Sequence, residues 1–563
     1  MTDMTGAAPS QTVGLQADLL IAEFVGIASF LIVVGPNVLN VGNMLWLTQG
    51  SDPFQHYIGW EFFRRSAWTW PLGLNPQFGM QFSSSIIFSD SVPLLAIPLK
   101  LLSPLLPTVF QYTGWWVLGC FLLQAYFAAR IAGLFARSVL IKAAVAVLLT
   151  FAPPMLWRLS IHYSLVAHWT ILAGVYLYWK PTSPRRSLAW AGLLAACALI
   201  HTYLFAMLLP IWLASLVRRH GQGERPRWVL ESGAVLMSAV LLLWVGGFFP
   251  LRSSMLTFGY GFFRLNLLAL FNPDGSMQNS PSWSVLLPRL PHGNGDYEGF
   301  AYAGLGGLAA VMLAAPAVVT ERHAYRGKGL WPIASVAVLL TLFALSPHLT
   351  IGDRLITIPA PQIIYELAGS LRSSGRFFWP VYYLIFIGAI WLLCRALGER
   401  VAGPVLLLLA ALQVYDTSPG WLATREHFAP IGSTYSTSLD DPRLDEIATH
   451  YRAIRALPAG NGLKGWRQVA YFAWRSHLPT DGVYLARPDD AGYEAYMADI
   501  DSVIAAHGLA TDSLYFVNVE FARKIAVAMR PDDAMFEAGD FYAYAPGWRT
   551  MQASTTLPEA PAP

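Results

Sequence analysis

Four apolar runs, Leu19 to Val34, Trp228 to Phe248, Tyr302 to Thr320 and Trp379 to Leu393, each approach the roughly 20 residues that cross a hydrocarbon core of about 30 Å. Runs of that length, repeated along one chain, decide its class before any motif does. They predict a multi-pass α-helical membrane protein. The composition agrees, being 55% hydrophobic and only 13% charged over 563 residues. The net charge of +3 sits in loops between apolar runs, where it reports orientation and gives no reason to expect nucleic acid. Cys120, Cys197 and Cys394 all lie inside apolar runs, so neither a disulfide framework nor a cysteine metal cluster is indicated. The first seventeen residues hold no Lys or Arg, and no small-residue cleavage site follows the first run, which therefore reads as a retained span rather than a signal peptide. An excess of Arg over Lys and the absence of an Asn-x-Ser/Thr acceptor fit a bacterium with a GC-rich genome.

Short loops dense in Lys and Arg face the cytoplasm. Five qualify: Arg130, Arg137 and Lys142; Lys180, Arg185 and Arg186; Arg218, Arg219, Arg225 and Arg227; Arg322, Arg326 and Lys328; Arg395 and Arg400. Stretches 37 to 109, 249 to 300 and 347 to 377, with everything after Asp416, then face outward. Ser187 to Val217 lies between two of the basic loops and is apolar except for His201 and Thr202. A single straight helix there would run about 46 Å and put its two basic ends on opposite sides. A pair of half-length helices turning near His201 keeps both ends inside. Nine full spans follow, near 18 to 36, 110 to 135, 141 to 157, 161 to 180, 228 to 248, 301 to 320, 330 to 346, 378 to 397 and 401 to 415. They put the N-terminus in the cytoplasm and the C-terminus outside. Val92 to Leu106 holds three prolines and Lys100, and is expected as interfacial helices.

After Tyr415 the composition becomes that of a soluble domain, giving a transmembrane part at 1–415 and an extramembrane part at 416–563. Strands are expected at Arg467 to Trp474, Gly482 to Arg487, Ser513 to Val519 and Phe541 to Tyr544, and helices at Tyr493 to His507 and Phe521 to Met529. This pattern predicts a small α/β domain with a partly parallel sheet. It contains no Gly-rich phosphate loop and no nucleophile motif.

The polar stretch SDPFQHYIGWEFFRRSAW, Ser51 to Trp68, directly follows the first span. Its aromatic residues recur at helical spacing. A carboxylate at Asp52, at the start of such a helix, is kept ionised by the helix N-terminus and is available as a base. Plain capping by Ser51 or Asp52 ahead of Pro53 is the competing assignment. Arg372 and Arg376 in LRSSGRFFWP precede a span and suit phosphate or interfacial anchoring, and Arg158 and His162 end another. Asp90 in FSDSVPLL supplies a second carboxylate, a metal ligand or a cap. Tyr297 and Glu298 in GDYEGF enter another span, Glu298 as a loop carboxylate. His168 and His201 lie within apolar runs, as catalytic groups or as satisfied core residues.

The layout resembles the GT-C superfamily of integral membrane glycosyltransferases: a first span, a long outer loop with an early acidic residue, interface helices, basic inner turns, a half-length helix pair and an outer C-terminal domain. The stretches SDPFQHYIGWEFFRR, WPLGLNP, SIIFSDSVPLLAIPLK, DYEGFAYAGLG and SSGRFFWP also resemble a group of uncharacterised bacterial multi-pass proteins placed near it. The likeness covers about residues 15 to 415. It implies transfer of a sugar from a polyprenyl-phosphate donor to a glycan, lipid or protein acceptor at the periplasmic face of a bacterial inner membrane, with inversion. Asp52 is then the base, Arg372, Arg376, Arg158 and His162 bind the donor phosphate, and His56, Asp90, Tyr297 and Glu298 bind substrate. Many members carry two adjacent acidic residues in the first loop. Here Pro53 follows Asp52, which leaves a divalent cation, Mg or Mn, undetermined. Two other classes stay open. A flippase for a lipid-linked saccharide would favour mid-bilayer charges and repeated halves, whereas Glu23 and Glu231 lie near span ends. A membrane O-acyltransferase would need a buried histidine such as His201.

Overall fold

A computed structural model describes residues 11–82, 84–180, 185–223, 228–249, 259–275, 281–325, 329–487 and 489–555. Arg225, Arg227, Arg326 and Lys328 lie outside the described residues. The chain forms two compact units, one of Met1–Val41, Tyr112–Val240 and Met255–Pro430, the other of Gly42–Gln111, Leu241–Ser254 and Ile431–Pro563. The first loop thus groups with the tail and not with the spans that flank it.

The first unit is helical. Among the described residues of the whole chain, Leu15–Val33, Thr113–Ala132, Thr202–Gly221, Trp228–Val245 and Ser374–Asp416 are long and apolar enough to cross a membrane. The bent pair Val139–Thr150 and Pro153–Ser160 makes a sixth if it is one span, and Arg186–Ile200, Leu305–Thr320 and Trp331–Leu345 are shorter apolar helices. This is a multi-pass helical membrane protein. The long helix Trp379–Asp416 contains a break at Gly398, whose φ of 69° is not helical, so it has two arms. Another break falls at His201, in extended backbone between Arg186–Ile200 and Thr202–Gly221.

Small residues set the close contacts: Gly26 lies on Leu122 and Gly307 on the Phe386 ring, with no room for a side chain at either. Helix ends are satisfied by buried polar groups. Asp416 accepts from Leu305 N at 3.0 Å and from the Tyr302 hydroxyl at 2.7 Å, and Gln413 accepts from Gly307 N at 3.0 Å. Together these cover N–H groups that the Leu305–Thr320 helix leaves unpaired at its start. Asp18 holds Arg130 and Lys142, each at 2.8 Å. The strands β1 (His348–Ile351) and β2 (Arg354–Thr357) form an antiparallel hairpin.

The second unit contains a four-stranded sheet of β3 (Ala453–Leu457), β4 (Ser513–Val517), β5 (Ala534–Ala538) and β6 (Phe541–Ala545) in the order β3-β4-β6-β5. β3 and β4 are parallel, and the other two pairings are antiparallel. Helices Asp490–Ala505 and Val519–Val527 bury Ile500, Ile504, Phe521 and Ile525 against Leu457, Tyr515 and Val517. Arg467 to Trp474, expected as a strand, is the helix Trp466–Arg475. Its Trp466, Val469, Ala470 and Ala473 recur at helical intervals on a buried face, and that period outweighs the β preference of its aromatic residues. Gly482 to Arg487 is irregular rather than a strand. Its ladder is replaced by single bonds, such as Ala486 N to Phe88 O at 3.0 Å.

The helix Ser51–Arg65 is buried from Pro53 to Arg64. Phe54 packs on Trp466 at 5.6 Å between ring centroids. Glu61 is fully buried and accepts from Trp474 Nε1 at 3.0 Å and Arg64 Nη1 at 3.1 Å. Burial pushes its carboxyl up, against the opposing pull of Arg64 and Arg65. The arginine pair of this stretch is therefore an internal fastening, with Arg64 also donating to Pro107 O at 2.8 Å and Arg65 to Trp474 O at 3.2 Å.

Candidate functional site

The candidate residues fall into two groups, one in each unit. In the second unit, the helix begins at Ser51 after an extended Gly50 that makes no side-chain cap. Asp52 sits half-buried in its first turn, where the unpaired N–H groups favour a carboxylate. His56 follows one turn later on the same face. Its Nε2 lies 3.3 Å from Asp90 Oδ2, both side chains being nearly sealed from solvent. Asp90 and Val92 both have left-handed backbone, with φ of 54° and 47°. For a β-branched residue that is a strained conformation, and such strain is retained where the surroundings over-determine it.

Those surroundings are specific. Gln55 Nε2 donates to Phe88 O at 2.9 Å and Ser91 Oγ to His56 O at 2.7 Å, while Ser89 and Ser91 hydroxyls lie 2.9 Å apart. Asn75 Nδ2 donates to Gly59 O at 2.9 Å. Gly59 is the point of closest approach, since an added methyl would run into the Ser89 side chain. Gly59→Ala improves helix propensity by about 1 kcal/mol, but the collision is expected to outweigh it, with a net loss of about 1–3 kcal/mol. Thermal unfolding of the detergent-purified protein measures this, and a gain in stability would show that the Ser89 loop yields freely.

In the helical unit, Glu298 lies on the short 3₁₀ turn Asp296–Gly299 and bridges two guanidiniums. Arg376 Nε and Nη2 donate to its two oxygens at 2.8 and 2.9 Å, and Arg158 Nη1 lies 2.9 Å from Oε2. Arg158 also donates to Glu298 O at 3.0 Å and is stacked on Trp157 and Trp379, with distances of 4.3 and 4.9 Å to the ring centroids. Burial would push the Glu298 carboxyl up, but Arg158 and Arg376 outweigh it and hold it well below the usual carboxylate range. His162 is close enough to add to that effect. Tyr297, beside Glu298 in the chain, has its ring 6.3 Å from that of Trp157. Two guanidiniums against one carboxylate leave one positive charge. Arg372 is half-buried and makes no hydrogen bond or ion pair among the described residues.

The remaining histidines have structural partners. His168 is buried, with Nδ1 2.9 Å from the Tyr383 hydroxyl and its ring 4.4 Å from that of Trp379. His201 Nδ1 accepts from Tyr203 N at 3.1 Å and so caps the following helix. Lys100, which in the sequence marks only an interfacial stretch, has a defined setting. It is buried between the Phe63 and Trp68 rings at 4.2 and 4.6 Å and donates to Ser66 Oγ at 3.1 Å, and burial pushes its ammonium down to about 8. No three His, Cys, Asp or Glu among the described residues are grouped so as to hold a metal ion.

No curated protein matches the chain. Among solved structures it is similar to ArnT from Cupriavidus metallidurans bound to undecaprenyl phosphate, with a TM-score of 0.43 at 11% identity over 95% of this chain and 98% of that one. For ArnT in the apo state the TM-score is 0.45 at 12% identity, over 97% and 99%. For the archaeal oligosaccharyltransferase AglB from Archaeoglobus fulgidus, in complex with an inhibitory peptide and a dolichol-phosphate, it is 0.40 at 10%, over 96% and 75%. Two family models match in sequence: "Domain of unknown function (DUF6311)" over residues 23–418 and "DUF6311 C-terminal domain" over 443–546. Both parts of one family are present in their order, and the chain belongs to the DUF6311 family.

Proposed function

We propose that this chain is a membrane glycosyltransferase of the GT-C type, moving a sugar from a polyprenyl-phosphate donor to an acceptor at the periplasmic face of a bacterial inner membrane. The observation that carries the reading is Asp52, half-buried in the first turn of a helix, one turn ahead of the His56–Asp90 pair. In the reaction the acceptor hydroxyl gives its proton to Asp52, and its oxygen bonds to the anomeric carbon. The bond from that carbon to the phosphate oxygen breaks, and the electron pair leaves on the carrier phosphate. Direct displacement inverts the anomeric configuration. His56 and Asp90 bind the acceptor's hydroxyls. In the helical unit, the charge that meets phosphate is assigned to Arg372 and to the single net charge of the Arg158–Glu298–Arg376 set, with His162 and Tyr297 beside it. Glu298 fixes the orientation of its two arginines. No step is assigned to a metal ion.

His201 is occupied as a helix cap, which weakens the acyltransferase alternative. Lipids of cells with and without the protein test the proposal. Loss of the protein is expected to make a polyprenyl-phosphate sugar accumulate, and an unchanged lipid profile would overturn it. In liposomes, counterflow of that lipid without any acceptor would instead identify a transporter. Arg372→Gln is expected to raise the donor KM about tenfold, the order of one charge-assisted hydrogen bond.

A further inference from the structure

The second unit has a cleft of about 260 Å³ that none of the candidate residues lines. Its walls are Phe82, Val483, Leu485 and Tyr493, and its polar edge is Asp489, Asp490 and the Gly460–Gly462 turn. The geometry points to a binding site for one uncharged sugar ring of a saccharide acceptor. Only in calling that saccharide the acceptor does this rest on the transferase reading.

Three features select the ligand. First, the size fits one ring rather than a long chain, lying just under the roughly 300–1,000 Å³ of pockets for drug-sized molecules. Second, the half-buried Tyr493 ring, with its centroid 6.1 Å from that of Phe82, offers an apolar wall for the C–H face of a sugar, and the buried Val483 and Leu485 lie behind it. Third, among the described residues the lining contains two carboxylates and no Lys, Arg or His. Asp489 is nearly buried and fixed by Gly492 N at 2.9 Å, so it already satisfies the helix start that would otherwise draw an anion. Carboxylates accept hydrogen bonds from sugar hydroxyls but repel uronate or phosphate.

The cleft is built rather than accidental. Gly460 has φ of 55°, and a Cβ at Gly462 would lie 2.6 Å from the Tyr493 hydroxyl, so glycines keep that end open. Phe82 is delivered by the first loop, which is tied to the tail by Gly79 N to Thr480 O and Thr480 N to Gln77 O, both at 2.9 Å. The loop then runs on through Phe88, whose carbonyl takes Ala486 N and Gln55 Nε2, to Asp90 beside His56. One stretch of chain therefore supplies both a wall of the cleft and a member of the proposed acceptor-binding pair.

The full-length protein in detergent, applied to an array of neutral, amino-substituted and uronic-acid oligosaccharides, tests the assignment. Neutral glycans are expected to be retained and uronic acids not. Tyr493→Ala is expected to weaken retention about tenfold, the loss of one ring contact of about 1.4 kcal/mol. Asp490→Asn, which preserves shape and helix, is expected to weaken it as well. No retention of neutral glycans, or retention unchanged in both variants, would overturn the site. Binding needs no donor, so the outcomes separate: retained glycan without any transfer refutes the transferase reading alone, whereas transfer without cleft-dependent binding refutes the cleft alone.

Discussion

Asp52→Asn is expected to lower sugar transfer by about 10²- to 10⁴-fold, the usual contribution of a positioned general base. The substitution keeps the size and polarity of the side chain, and the helix start at Ser51 does not depend on Asp52 as its cap. At the helix start the substitution removes one favourable charge, worth about 0.3–1 kcal/mol. Membrane insertion and the unfolding midpoint are therefore expected to stay close to those of the parent while turnover collapses. Transfer of a labelled sugar from the polyprenyl-phosphate donor reads the first effect and thermal unfolding the second. Turnover unchanged in this variant would remove Asp52 as the base. A joint loss of turnover and stability would point to a packing role instead. His201→Ala serves as the contrasting variant: it removes a cap worth about 1 kcal/mol and is expected to leave transfer in place.

Glu298→Gln acts on stability rather than on a proton. The carboxylate is buried and engages two guanidiniums that are themselves buried. Neutralising it removes the charge that Arg158 and Arg376 share, and losses of about 3–5 kcal/mol follow when one member of such a set is removed. The pH dependence has a definite sign. Folding lowers the pKa of this carboxyl from its ordinary 4.5, so its contribution is complete above that value and is lost as pH falls from there toward the folded value. At neutral pH the variant is expected to show the full loss. As pH drops below about 4 the difference between parent and variant should shrink, because the unfolded parent takes up a proton on Glu298 that the folded parent does not. Unfolding of both proteins across that range checks this, and a difference that stays constant would exclude Glu298 as its source.

What could be read from the sequence depended on how far apart the interacting residues lie. Apolar runs and the polar pair at His201 and Thr202 are local signals, and helices and a break stand at those places. Arg158, Glu298 and Arg376 were each singled out for substrate, but their mutual bonding spans 140 and 78 residues and left no mark in any window. Asp90 and His56 were likewise noted separately, and a pairing through two left-handed residues cannot be inferred from FSDSVPLL. β3 and β5, with the sequences AIRAL and AMFEA, went unseen because Ala, Met and Glu prefer helix, and only their pairing to β4 and β6 makes them strands. The cleft leaves no local mark in the sequence because its walls come from residue 82 and from residues 460 to 493, none carrying a motif.

The bond from Trp474 to Glu61 joins residues 413 positions apart. During synthesis the stretch around Asp52 leaves the ribosome long before the segment that completes its fold, and contacts of such separation form slowly. Until the last quarter of the chain arrives, the buried carboxylate and its neighbouring tryptophans have no finished shelter. Premature termination near residue 430 would therefore harm the amino-terminal end of the molecule as much as the end that is missing.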